Sequence, residues 1–308
     1  MVRGKVGRLV ERVAVALLAL LVLGGMPLGC ARNGGASGGG EGSEEGVDLS
    51  DTTVWVKERG IVLSPTSRVL LSLLDRYGVP FDSDLVPVEF PLRVTKSTAR
   101  EAVMLGMYSV DALYFIYGDN KDAVQRCFFR LGMSADALGL SEELQLQELA
   151  LACSYATDVE SLIPLIGQRL VRLGKALRLR GHEDYYALIA SGTWVESTRI
   201  LSHIALQSGR EELYRLVAEQ RFLLSEVGEL LSGYVYDSPE AEEVYNQLSA
   251  VNGVYGGVQI GYSYQTVEVD TANHFSKINA TMQFAMSKAQ LQAIAGSLDA
   301  ARTVMLGE

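Results

Sequence analysis

The sequence predicts a mainly α-helical protein: a multi-helix bundle that carries one C-terminal antiparallel β-hairpin and a final helix. Three observations point there. Apolar residues recur at helical spacing, between glycine stops, over most of residues 64–255. The period then drops to two over about residues 258–286, the mark of half-buried strands. The chain has 308 residues, 48% hydrophobic and 21% charged, enough apolar material for one large core.

The elements follow in order from their start and stop signals. Ser64-Pro65 offers a cap and a proline at the first helical position, Val69, Leu70, Leu73, Leu74 and Tyr77 keep the helical period, and Gly78 ends it. After a loop with Pro80, Pro87 and Pro91, a second helix spans about 98–117 and stops at Gly118. Asp119 is expected to cap a third helix to about Leu138, with Gly139 beyond it, and Ser141 to start a fourth. Thr157 with Glu160 reads as a capping box for a fifth helix, which Gly181 ends. A sixth helix is expected at about 183–207 and a seventh at 210–233, separated by Gly209; Ser238-Pro239 opens an eighth. In the hairpin, Val258, Ile260, Tyr262 and Tyr264 alternate with polar or small residues, as do Ile278, Ala280, Met282, Phe284 and Met286. The polar stretch between them reads as a long loop, and Ser287 with Gln290 caps the final helix to about Leu306. An isolated hairpin is marginal in water, so its apolar face is expected to lie on the helices.

The N-terminus reads as an address. Arg3, Lys5, Arg8 and Arg12 precede eleven unbroken apolar residues, Val13 to Leu23, the layout of a secretory signal over 1–29. Gly29-Cys30 after such a run resembles the lipobox of bacterial lipoproteins, although Pro27 stands where Leu is usual and Leu28 where a smaller residue is common. The resemblance implies cleavage before Cys30 and acyl chains, palmitate among them, on that residue. The alternative is an uncleaved anchor: residues 13–29 hold no charge, but Pro27 and the glycines near it argue against a spanning helix. Residues 30–46 then form a tether of mostly Gly, Ser and Glu that cannot build a core, leaving 47–308 as a single working domain. Loss of the four basic residues and one acid of the signal takes the net charge from −10 to −13. So acidic a chain is a poor nucleic-acid binder, and three cysteines cannot make a disulfide scaffold.

The segments SPTSRVLLSLLDRYGVPF, LGMYSVDALYF, SGTWVES and VQIGYSYQ, in that order over residues 61–305, resemble a family of lipoproteins of Bacteroidetes bacteria. The resemblance implies an outer-membrane address and a helical body. It brings no activity, cofactor or catalytic residue with it.

Chemistry has few footholds. No HExxH, CxxC, GxSxG, phosphate-binding or dinucleotide-binding loop occurs, and the three histidines, 182, 203 and 274, are scattered, so neither metal nor cofactor is expected. The residue that stands out is Asp111, alone but for Ser109 among the apolar residues of 102–117. A helix apolar all round is central to its fold, so this carboxylate should be buried and paired, or else serve as a functional acid or ligand anchor. Glu196 and Arg199, three apart, and His203, seven from Glu196, share a helix face and could join Asp111 in a salt-bridge network. Gly106 and Gly192, 86 residues apart, suggest close helix packing that sets Tyr108 and Trp194 against a neighbour, with an aromatic-walled pocket as the alternative. Cys127 and Cys153 lie thirteen residues either side of Leu140 and so at one level of an antiparallel helix pair, either as two buried thiols or as a disulfide. The reading that follows is a lipid-anchored, non-enzymatic scaffold or partner-binding module of the cell envelope. Its partners would be the membrane and another envelope protein, met through the hairpin edges. A small-ligand binder with a pocket around Asp111, Trp194 and Glu196 is the alternative.

Overall fold

The computed structural model describes residues 74, 77–87, 89–91, 93–155, 162–264, 268–270, 275–277 and 280–307. The signal segment 1–29, Cys30, the tether, the Ser64-Pro65 helix start, the Thr157–Glu160 capping box and His274 lie outside them.

Among the described residues, a 3-10 turn at Ser83–Leu85 precedes helices α1 (Thr98–Tyr117), α2 (Lys121–Ala137), α3 (Ser141–Leu144), α4 (Leu146–Tyr155), α5 (Leu162–Leu179), α6 (Glu183–Ser208), α7 (Glu211–Ser232) and α8 (Pro239–Tyr255). Strands β1 (Gln259–Tyr264), β2 (Glu268–Asp270), β3 (Phe275–Lys277) and β4 (Ala280–Ala285) follow, then α9 (Lys288–Leu306). The start signals act largely as the sequence implies. Ser238 accepts from the Ala241 N–H with Pro239 at the first helical position, and Ser287 with Gln290 forms a complete capping box. Gly78, Gly139, Gly181 and Gly209 all adopt positive φ at helix ends.

Three expectations are corrected. Asp119 does not cap α2: it takes a left-handed conformation (φ 52), and Asn120, one residue on, accepts from the Ala123 N–H. The helix expected from Ser141 is cut into α3 and α4, because Gln145 turns left-handed (φ 46) after a single turn without a side-chain cap. The loop between the long strands holds a second ladder, β2 on β3, whose register sets Glu268 opposite Lys277. The outer ladder pairs Gln259 with Ala285 through Tyr264 with Ala280. Docking of the hairpin is realised chiefly at its base, where Val258 is buried while Ile260, Phe284 and Met286 are only partly covered.

The core is organised around α1 and α6, the most extensive helix contact. α2 and α9 pack on α1, and α7 and α9 on α6. The reason is legible at two positions. A Cβ on Gly106 would overlap the Ile189 carbonyl oxygen and stand 2.9 Å from the Thr193 nitrogen; one on Gly192 would overlap the Val103 carbonyl oxygen. Each glycine thus lets the other helix's backbone lie directly on it, and the Thr193 hydroxyl bonds the Ile189 carbonyl at 2.9 Å within this crossing. Side chains that would hold two helices 8–10 Å apart are missing here, so α1 and α6 meet backbone to backbone.

Gly106→Ala and Gly192→Ala are each expected to lower stability by about 2–4 kcal/mol, because a buried backbone cannot yield to the added methyl. Gly132→Ala and Gly228→Ala, mid-helix sites where a Cβ meets open space, should instead gain about 0.5–1 kcal/mol. Urea midpoints for the four variants check both signs; a neutral Gly106→Ala would disprove the tight crossing.

Candidate functional site

Four of the six residues singled out for a polar site meet, and the final helix joins them. Asp111 comes from the centre of α1, Glu196, Arg199 and His203 from one stripe of α6, and Asp299 and Arg302 from α9. Asp111 and Glu196 are fully buried. Glu196 Oε1 accepts from Arg199 Nη2 at 2.6 Å and Nε at 3.1 Å, and its Oε2 accepts from Arg302 Nε at 2.9 Å. Arg199 also donates to the Leu85 carbonyl, which ties the 3-10 turn to the network, and its Nη1 lies 3.5 Å from Asp299 Oδ1. Asp299 closes the rim by bonding His203 Nε2 at 3.0 Å.

Asp111 has no such partner. Neither of its oxygens receives a hydrogen bond from a donor among the described residues, and the Arg302 Nη2 stands 3.9 Å away. Burial raises its pKa well above the ordinary value, the neighbouring Glu196 charge adds to this, and the two guanidiniums only partly offset it. For Glu196, burial pushes the same way but Arg199 and Arg302 outweigh it, and its pKa is lowered. The two shifts run in opposite directions, so of the pair it is Asp111 that favours the protonated form, from which a carboxyl can donate to Glu196. A protonated Asp111 would leave the Arg199 and Arg302 guanidiniums facing the Glu196 and Asp299 carboxylates, two charges of each sign. Asp299 is held ionised for the same reason: His203 and Arg199 outweigh its partial burial.

A second buried network went unnoticed in the sequence. Arg130 of α2 and Glu101 of α1 are both fully enclosed, with Arg130 Nη2 at 3.2 and 3.0 Å from the two carboxylate oxygens. Ser134 accepts from Arg130 Nη1 and donates to Glu101, both at 2.6 Å, and the Thr95 N–H donates to the other oxygen at 2.6 Å. Burial raises the Glu101 pKa, but the bonds from Ser134 and Thr95 and the Arg130 charge prevail and lower it. The Tyr108 ring lies 5.4 Å from the Arg130 guanidinium carbon and edge-on to Phe90 at 5.1 Å, so Tyr108 serves this network and not the one around Asp111. Trp194 is fully buried, but two residues from Glu196 it points roughly 200° around the helix.

Cys127 and Cys153 are buried free thiols, so the disulfide alternative is not formed. Cys127 Sγ is turned toward α1, where it donates to the Tyr108 carbonyl at 3.0 Å. Burial pushes the Cys153 thiol up to about 11 and that of Cys127 well above its usual range, so neither is a ready nucleophile.

Two clefts stand out among the described residues. One, of about 670 Å³, opens between the hairpin base and the starts of α7 and α9, lined by Tyr214, Gln259, Phe284, Met286 and Gln290 among others. The other, about 490 Å³, lies between Phe81 and residues 118–122. Neither touches Asp111, Trp194 or Glu196. The glycine crossing accounts for this, since it closes the space between the central helices. Among the described residues no group of three His, Cys, Asp or Glu is arranged to hold a metal ion. No helix among them is long and apolar enough to cross a membrane. Comparison of the chain with protein-family models, with curated proteins and with solved structures finds no match.

The shared proton sets a sign. Asp111 has a raised native pKa, so its contribution is complete below its ordinary value of 3.8 and is lost as pH rises toward the raised one. Glu101 and Glu196 contribute in the opposite sense, fully above their ordinary value of 4.5 and less as pH falls. Asp111→Asn, which keeps a donor for Glu196, should change stability by no more than about 1 kcal/mol near neutrality and remove the decline on the alkaline side of that window. Glu196→Gln, which strands two buried guanidiniums, should cost about 3–5 kcal/mol. Urea unfolding across pH measures both; a parental slope in Asp111→Asn would mean that Asp111 is ionised.

Proposed function

We propose that the chain is exported, acylated at Cys30 and held at the outer membrane as a non-enzymatic helical module that binds another envelope protein through its hairpin. The observation that carries this reading is the ordered N-terminal series: basic residues, the apolar run Val13 to Leu23, Gly29-Cys30 and a Gly/Ser/Glu tether. The likeness of the four segments to Bacteroidetes lipoproteins supports the same address. Two features of the body support a binding role over chemistry. Its buried charges, Glu101 with Arg130 and Glu196 with Arg199 and Arg302, are engaged with one another and not with a cleft. The β1–β4 ladder is a two-stranded sheet that offers edges for an added strand.

The address is tested by radioactive palmitate labelling of the parent chain and of Cys30→Ala in cells. Label is expected on the parent and lost from the variant; equal labelling would refute acylation at Cys30. The binding role is tested by a photocrosslinking residue at Ser263 or Gln283, both exposed on the ladder, with Glu226 on the exposed face of α7 as the control. A discrete adduct from the ladder positions alone is expected, and its absence from both would remove the hairpin as the contact.

A further inference from the structure

Helix α5 runs against the charge of its own chain. Residues 161–182 contain Arg169, Arg172, Lys175, Arg178 and Arg180 and no Asp or Glu, in a protein whose net charge is −10. The helix turns its apolar side inward, with Leu173 and Leu177 buried, and Arg169 is drawn in to Glu148 at 2.7 Å. The outward side carries Arg172, Lys175, Arg178 and Arg180. Arg180 is tied to Glu143 and to the Gly139 carbonyl, and Arg172 reaches Gln145 at 3.2 Å. Leu179 sits among these cations with 77% of its surface exposed. Arg172, Lys175 and Leu179 are spaced three and four apart and so form one stripe.

We propose that this face of α5 docks on an anionic lipid surface, with headgroup phosphates against Arg172, Lys175 and Arg178 and with Leu179 entering the interface. Two considerations favour lipid. An exposed leucine among cations on a helix is the composition of an interfacial contact, in which charge attracts and the apolar group inserts. The acidic remainder of the chain is repelled by the same surface, which leaves this face as the one that approaches. The proposal rests on the lipid-anchor reading only for the nearness of a membrane.

The test uses the full chain with Cys30→Ala, so that no acyl chain contributes, and Leu179→Trp as a local reporter, read as the difference from the same chain without it. Vesicles of phosphatidylcholine alone are compared with vesicles of phosphatidylcholine and phosphatidylglycerol. A blue shift and quenching by brominated lipid are expected with the anionic vesicles only, reversed by high salt. Arg172→Gln with Lys175→Gln should weaken that response by about tenfold or more. Lys175→Glu alone serves as the check should the double variant lose helicity by circular dichroism. No shift, an equal shift on the uncharged vesicles, or an equal shift with soluble polyglutamate would overturn the proposal, the last by pointing to an acidic protein. Palmitate labelling reads the anchor separately, so either can fail without the other.

Discussion

The contact on which the rest of the molecule depends is the meeting of α1 and α6 at Gly106 and Gly192. Two helices that touch through their backbones have little freedom of angle or height, since neither main chain can deform cheaply. That fixed crossing carries Asp111 and Glu196 to adjacent positions from elements 85 residues apart in the chain. It also removes the space that a ligand pocket between the central helices would need. The two glycines weaken their helices by up to about 1 kcal/mol each as isolated segments. Dispersion contacts along the closely packed interface offset that cost.

Both buried networks follow from the same geometry. Once α1 is enclosed on every side, any polar residue on it must find partners within the protein. Glu101 finds them in Arg130, Ser134 and the Thr95 amide; Asp111 finds no donor, and its pKa rises. The contrast shows how placement shifts a pKa: two enclosed carboxyl groups on one helix move in opposite directions, Asp111 up through deeper burial and the Glu196 charge, Glu101 down through the bonds from Ser134 and Thr95 and the Arg130 charge. Buried ion pairs are weak evidence for net stability, but they are strong constraints on which arrangement is allowed. Here they specify the register of α2 and α9 on the central pair.

Most of the architecture could be read from periodicity and local punctuation. The positive-φ glycines, the Ser-Pro start of α8, the capping box of α9 and the period-two strands are short-range signals, and they act where they are written. What escaped depends on distant partners or on a choice between adjacent candidates. Asp119 and Asn120 are both competent caps, and only the backbone turn decides between them. Arg302 lies 106 residues from Glu196, and nothing in α9 announces that Asp299 and Arg302 face a buried carboxylate pair. Glu101 was hidden differently: an acid in the first turn of a helix reads as a solvated partner of the dipole, so its burial left no mark in the sequence. Of the six candidate residues, the carboxylates Asp111 and Glu196, Arg199 and His203 converge, while Tyr108 and Trp194 take up other places, because an aromatic carries no record of which wall it will face.

The position of Arg302 and Asp299 in the chain has a consequence for timing. Synthesis proceeds from the N-terminus, so Asp111, Glu196 and Arg199 are all made well before Asp299 and Arg302, which complete their pairing. Until 299–302 emerge, Glu196 Oε2 lacks its Arg302 donor and Arg199 lacks Asp299, so the closed α1–α6 pair would hold buried polar groups short of partners. Completion of the core is thereby deferred until α9 is present, and the chain is kept from locking early into its final shape.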